Sequence, residues 1–173
     1  MPLTKMRSIG LLLALATTAS LPVAAQSDVK SIFLKHLKIS RDFTLKVAAQ
    51  MPESTYDFKL TPPQMSFAEQ MVHLSQSLSV FVSPLVGEQP NGSKPASLKK
   101  KDVLAYMGKS FDDAIEKVSK LTNDQIMKTY KSEEGSMTGL ELLMGMLDHT
   151  THHRASAEMY LRAKGIKPSE YQF

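Results

Sequence analysis

TGLELLMGMLDHTTHHRASAEMYLRAKG, residues 138–165, is the stretch that decides the architecture of this chain. Thr138-Gly139-Leu140-Glu141 has the form of a capping box, in which a hydroxyl and a carboxylate three residues apart satisfy the free N–H groups of a starting helix. Leu140, Leu142, Leu143, Met144, Met146 and Leu147 then surround the first half of that helix. A helix that is apolar nearly all round is expected to be central and buried. His149 and His153 continue the face that carries Leu142 and Met146, and Tyr160 follows on the same side. The helix is expected to run to about Lys164, with Gly165 as its C-terminal cap and Pro168 beyond.

Working outward, three more segments have helical periodicity, and none reads as a strand. In the first, from about Asp28 to Met51, Phe33, Leu37, Ser40, Thr44, Val47 and Met51 recur at three- and four-residue steps, with Ile32, Ile39 and Phe43 alongside. Pro52 stops it. The second opens on another capping box, Ser66-Phe67-Ala68-Glu69. Its stripe is Phe67, Met71, Leu74, Leu78 and Phe81, and Pro84 and Gly87 mark its end. The third starts near Ser97 and carries Leu104, Met107, Phe111, Ile115, Val118 and Leu121.

Four such helices predict an all-α four-helix bundle. The connection SPLVGEQPNGSKPA, residues 83–96, sets the topology. Extended, it reaches roughly 45 Å at ~3.3 Å per residue. A 17-residue helix is only about 26 Å long. This crossover can return along the bundle, so the second and third helices can run parallel. PESTYDFKLTPPQ (52–64) is expected to tuck Tyr56 and Phe58 over a bundle end. TNDQIMKTY (122–130) offers a cap, Thr122 with Gln125, for a short extra helix.

The N-terminal 25 residues read as a removable secretory signal. Lys5 and Arg7 precede the apolar run IGLLLALATTASL, and Val23-Ala24-Ala25 supplies small residues for cleavage. The run is too short for a permanent bilayer span, which needs ~20 residues. One domain, residues 26–173, is then expected, exported to the periplasm or secreted, with no membrane span after cleavage. Its length is enough for a self-sufficient core. Losing Lys5 and Arg7 takes the net charge from +4 to +2. Lys99-Lys100-Lys101 reads as a solvated helix start, so no nucleic-acid partner is expected. The chain has no cysteine, which rules out disulfides and thiolate ligands, so any metal must use His, Asp or Glu. The eleven methionines fall mostly at helical spacing, as core filling does.

The histidines allow two readings. His149 and His153, at i and i+4, share one helix face, and His73 lies on the second helix. The three are either hydrogen-bonded core residues or metal ligands. On a helical wheel His73 lies off the centre of its stripe, so periodicity does not settle its direction. His152 points about 100° away from His153, and His36, between Lys35 and Lys38, is expected on the surface. The zinc-protease pattern requires Glu after the first histidine, and position 150 is Thr. There is no GxSxG and no glycine-rich phosphate loop.

MSFAEQMVHL (65–74) paired with LLMGMLDHTTHHRASAEMYLRAKGIKP (142–168) resembles the DinB-like (DinB/YfiT-related) family of metalloenzymes. The resemblance covers essentially all of the chain after the signal segment. It implies a bundle with parallel second and third helices, and a divalent metal on His73, His149 and His153. The family's HxxxH pair is followed by Arg-Gly-Gln. Here Arg154 is kept, but Ala155-Ser156 stands where Gly-Gln is common, which puts any supporting role of the glutamine in doubt.

Three neutral imidazoles leave an open coordination position, as in catalytic rather than structural zinc. Zinc or nickel suits nitrogen ligands. Similar proteins include thiol-dependent transferases and isomerases; an exported chain would lack cytosolic thiols, so a metal-dependent hydrolase of unknown small-molecule substrate is the leading expectation. A non-enzymatic metal- or ligand-binding bundle is the alternative, and a homodimer is left open. No catalytic base is assigned. Glu69 is read first as the partner of its helix cap and second as an orienting group for His73, while Asp148 faces away. Arg154 is expected to hold an anionic substrate group or to pair with a surface carboxylate.

Overall fold

The computed structural model describes residues 28–132 and 135–172. The expected signal segment lies outside the described residues. Five helices and one small hairpin follow in chain order: α1 (Val29–Gln50), a 3-10 turn (Glu53–Thr55), α2 (Phe67–Val86), α3 (Lys100–Ser119), α4 (Asn123–Met127), β1 (Thr129–Ser132), β2 (Gly135–Thr138) and α5 (Gly139–Ala163). The four long helices form the expected bundle. Among the described residues no helix is long and apolar enough to cross a membrane.

Local chemistry fixes the helix starts. Ser66, Thr122 and Thr138 each accept from the backbone N–H three residues on, while Glu69, Gln125 and Glu141 reach back to the cap. All three capping boxes expected from the sequence form, and each contributes about 1 kcal/mol. Gly87 ends α2 in the left-handed region at φ 71°, and Gly165 follows α5 at φ 72°. Pro84 does not stop α2, which continues to Val86. A proline here removes the N–H bond to the Val80 carbonyl and crowds that carbonyl, and exposed Val80 lies where water can reach it.

Side-chain ties show the direction of each helix. Lys100 at the start of α3 donates to Ala49 O (2.6 Å) and Met51 O (2.9 Å) at the end of α1. Lys30, at the start of α1, donates to Leu121 O beyond the end of α3 (2.8 Å). These two helices are therefore antiparallel. Lys117 near the end of α3 pairs with Glu88 just past α2, so α2 and α3 run parallel, as the long crossover allows. Tyr160 near the end of α5 donates to Met65 O ahead of α2 (2.5 Å), making α2 and α5 antiparallel. Along the crossover, Asn91 N–H donates to Ser79 Oγ (2.5 Å) and Tyr106 donates to Ser93 O (2.9 Å).

The core joins the stripes of α1, α2, α3 and α5. Phe33, Leu37, Phe43 and Val47 of α1 are buried, as are Met71, Leu74 and Leu78 of α2, Met107, Phe111 and Val118 of α3, and Leu142, Leu143 and Met146 of α5. Tyr56 is buried over the bundle end, donates to Ala48 O (2.8 Å) and meets Phe67 edge-on at 5.1 Å. Phe58 meets Tyr160 the same way at 6.2 Å.

Two expectations need correction. Met144 is exposed and Leu140 and Leu147 are only half-buried, so α5 packs on two flanks rather than all round. Ile32 likewise faces solvent. The segment after α4 is also not a plain connection. β1 and β2 pair antiparallel with Thr129 opposite Thr138 and Tyr130 opposite Met137. The Tyr130 and Met137 side chains of the hairpin lie half-buried against the core. Gly139 is required where this hairpin meets α5, because a Cβ there would lie 2.6 Å from Gln125 O and 2.8 Å from Ile126 O.

Candidate metal centre

The antiparallel packing of α2 on α5 brings His73 against the HxxxH pair. Ring centroids are 4.3 Å apart for His149 and His153, 4.7 Å for His73 and His153, and 5.3 Å for His73 and His149. One nitrogen from each ring lies within 4.8 Å of the others, so the three histidines could hold a metal ion. His153 is buried, while His73 and His149 are half-buried. His36 and His152 are exposed and stand outside the cluster, as expected.

The environment disfavours the charged form of the HxxxH pair. Burial, then the charges of His149 and His73, push His153 down to about 4. Burial and then His73 lower His149 too. A neutral imidazole is the ligand form, since a protonated ring has no lone pair to give.

Gln70, missed in the sequence, supports the site. Its side-chain amide lies 2.5 Å from Nδ1 of His153. The atom that faces Nδ1 is the amide nitrogen Nε2; only with the amide turned over, its oxygen toward the ring, would Nδ1–H donate to Gln70 and leave the ring's Nε2 lone pair free for an ion. Histidine ligands are usually held this way through the second nitrogen. The only signal was position: Gln70 lies three residues before His73, on the same side of the helix. The amide comes from α2, not from position 156, where the resemblance would put a glutamine and this chain has Ser.

The donor set fits a divalent ion. Two nitrogens each ~2.0–2.1 Å from a tetrahedral metal lie roughly 3.4 Å apart; Nε2 of His149 and Nε2 of His153 are 3.1 Å apart. Nδ1 of His149 is buried with no partner among the described residues.

A cleft of about 550 Å³ opens beside His73, between the start of α2 and the end of the crossover. Glu69, Gln76, Lys94 and Ser97 line it together with His73. Glu69 is the partner of its cap: its Oε2 accepts from Ser66 N–H at 2.7 Å. The Ser66 backbone and hydroxyl hold its carboxyl below the usual range, which makes it a weak base. Asp148 is exposed and turned away.

Arg154 does not pair with a surface carboxylate. It is buried, and among the described residues no carboxylate lies within ion-pair distance of it. It donates instead to Ser40 Oγ (3.0 Å), Thr44 Oγ1 (3.4 Å) and Thr151 Oγ1 (3.2 Å), on the flank of α5 that faces α1.

Comparisons with known proteins agree with the fold. The family model of the DinB family matches residues 26–173. A DinB-like protein from Bacillus subtilis superposes with a TM-score of 0.69 at 20% identity, over 82% of this chain and 96% of that one. A DinB-like protein from Bacillus cereus gives a TM-score of 0.72 at 17% identity, over 81% and 95%. At such identities the likeness is one of fold. No curated protein sequence matches the chain.

Proposed function

The chain belongs to the DinB family, and from that premise we propose that it holds zinc or nickel on His73, His149 and His153 and hydrolyses a small molecule. The observation that carries this reading is the convergence of three imidazoles beside an accessible cleft. Such an ion supplies Lewis acidity, polarising a carbonyl and acidifying water. The chain's residues do the rest. Gln70 holds the His153 ring through Nδ1. Lys94 and Ser97 offer a cation and a hydroxyl on the wall of the cleft. Glu69 keeps its place at the helix cap and is not assigned as the base.

The N-terminal signal pattern supports export, after which the chain would begin at Gln26. N-terminal sequencing of protein from the periplasmic fraction tests that. The metal reading is tested by inductively coupled plasma mass spectrometry on untagged protein purified without a nickel column. About one ion per chain is the expected result. No metal after incubation with zinc and nickel would overturn it and leave a non-enzymatic module. An ester, amide and lactone screen, run with and without glutathione, then separates hydrolysis from thiol transfer.

A further inference from the structure

Arg154 lies outside the metal site and raises a separate question. The residue is only 4% exposed. It lies 4.7 Å from the Phe43 ring centre, and its hydrogen bonds go to the hydroxyls of Ser40, Thr44 and Thr151. A buried cation without a counter-ion is costly, and guanidinium does not escape by losing its proton. The acid one turn away does not serve it: Glu158 pairs with Arg162 at 3.4 Å.

A pocket of about 180 Å³ opens onto this guanidinium between α1 and α5. That is well above the ~10–15 Å³ one water requires. Among the described residues no Asp or Glu lines it. Ser40, Thr151 and the exposed His36 supply its polar wall. Ile39, Phe43, Leu147 and Tyr171 supply an apolar one. Three of the five guanidinium N–H donors are used by hydroxyls, which leaves two, the number a carboxylate takes in a bidentate pair.

We propose that the pocket between α1 and α5 is a second binding site, which takes a small carboxylate with a flat apolar body and uses Arg154 as its counter-ion. The carboxylate pairs with the guanidinium, and the body lies between Ile39, Leu147 and the Phe43 and Tyr171 rings. Ser40 and Thr151 hold the fork in place before the ligand arrives. The site is independent of the metal, since it uses the flank of α5 that faces α1.

Calorimetric titration of the full chain tests this with benzoate, its neutral analogue benzamide, and inorganic phosphate. Benzoate is expected to bind saturably at one site per chain, and benzamide and phosphate at least about tenfold more weakly. Arg154→Met is expected to lose benzoate binding, and Leu147→Asp, which puts a like charge on the apolar wall, is expected to weaken it by about tenfold or more. His149→Ala is expected to keep it. Equal binding of benzamide, no saturable binding of benzoate to the wild type, or loss in His149→Ala would each overturn the proposal, the last by moving the ligand to the histidines. Should Arg154→Met fail to fold, the Arg154 Nε–H resonance of the wild type gives the answer. A saturable shift with benzoate supports the site, and an unmoved resonance overturns it.

Discussion

His153 and Arg154 are consecutive, both buried, and placed on different flanks of the same helix. One faces α2 and the other α1. On the α2 flank the fold buries the His153 ring, disfavours its charge and gives its outer nitrogen a partner. On the α1 flank it buries a fixed charge against hydroxyls and the Phe43 ring. The difference shows how one helix can carry two unlike sites. A ring that can shed its proton is made ready for a cation. A guanidinium that cannot is made ready for an anion. A step of about 100° per residue is enough to keep the two apart.

Substitutions can break this comparison, and the largest effect is expected at the rings. His149→Ala or His153→Ala should abolish metal binding while far-UV circular dichroism stays nearly unchanged. Unaltered stoichiometry in both variants would remove the site. Next comes acid. An unfolded histidine takes up its proton near 6.5, but folded His153 does so only at about 4. Between those values the unfolded chain binds more protons than the folded one. The metal-free protein should therefore lose stability as pH falls through that window, on the order of a few kcal/mol. Thermal melts from pH 7 to 4 check this, and a His149→Ala/His153→Ala double variant should show a flatter profile.

A smaller effect is expected behind the ring. Gln70→Leu should weaken metal affinity about 10–100-fold while sparing the fold, as read by competition with a chelating dye. An unchanged affinity would show that His153 needs no support. The smallest effect is expected on the other flank. Arg154→Met keeps most of the volume and removes the buried charge, so stability should stay within about 1 kcal/mol or rise. A larger loss in urea unfolding would show that the hydroxyl cage stabilises the bundle by itself.

The parts that could be read from the sequence were local. Ser66, Thr122 and Thr138 each meet a partner three residues away, so their capping boxes are written in consecutive positions. The crossover was visible through its length and its turn residues. His149 and His153 share a face by spacing alone. His73 was not settled that way, because α2 is buried on several sides, including Gln70, Val72 and Ser75. Its direction depends on where α5 packs. Gln70 and Arg154 were obscured for a related reason. Their partners lie 83 and 114 residues away, and no local pattern reports a contact of that range. The hairpin at 129–138 was missed because four-residue strands with one half-buried cross-strand pair carry too little alternation to read.

The placement of α1 has a consequence for how the molecule is made. Its ties run to α3 and α5 rather than to α2, which follows it in the chain. Lys100 reaches Ala49 across 51 residues, and Arg154 reaches Ser40 across 114. A growing chain that ends after α2 therefore has no hairpin to close, and its apolar stripes wait for the C-terminal half. Contacts of such long sequence separation slow folding relative to a bundle of sequential hairpins. The last helix both carries the histidine pair and completes the core, so a truncated chain lacks a folded scaffold as well as its ligands.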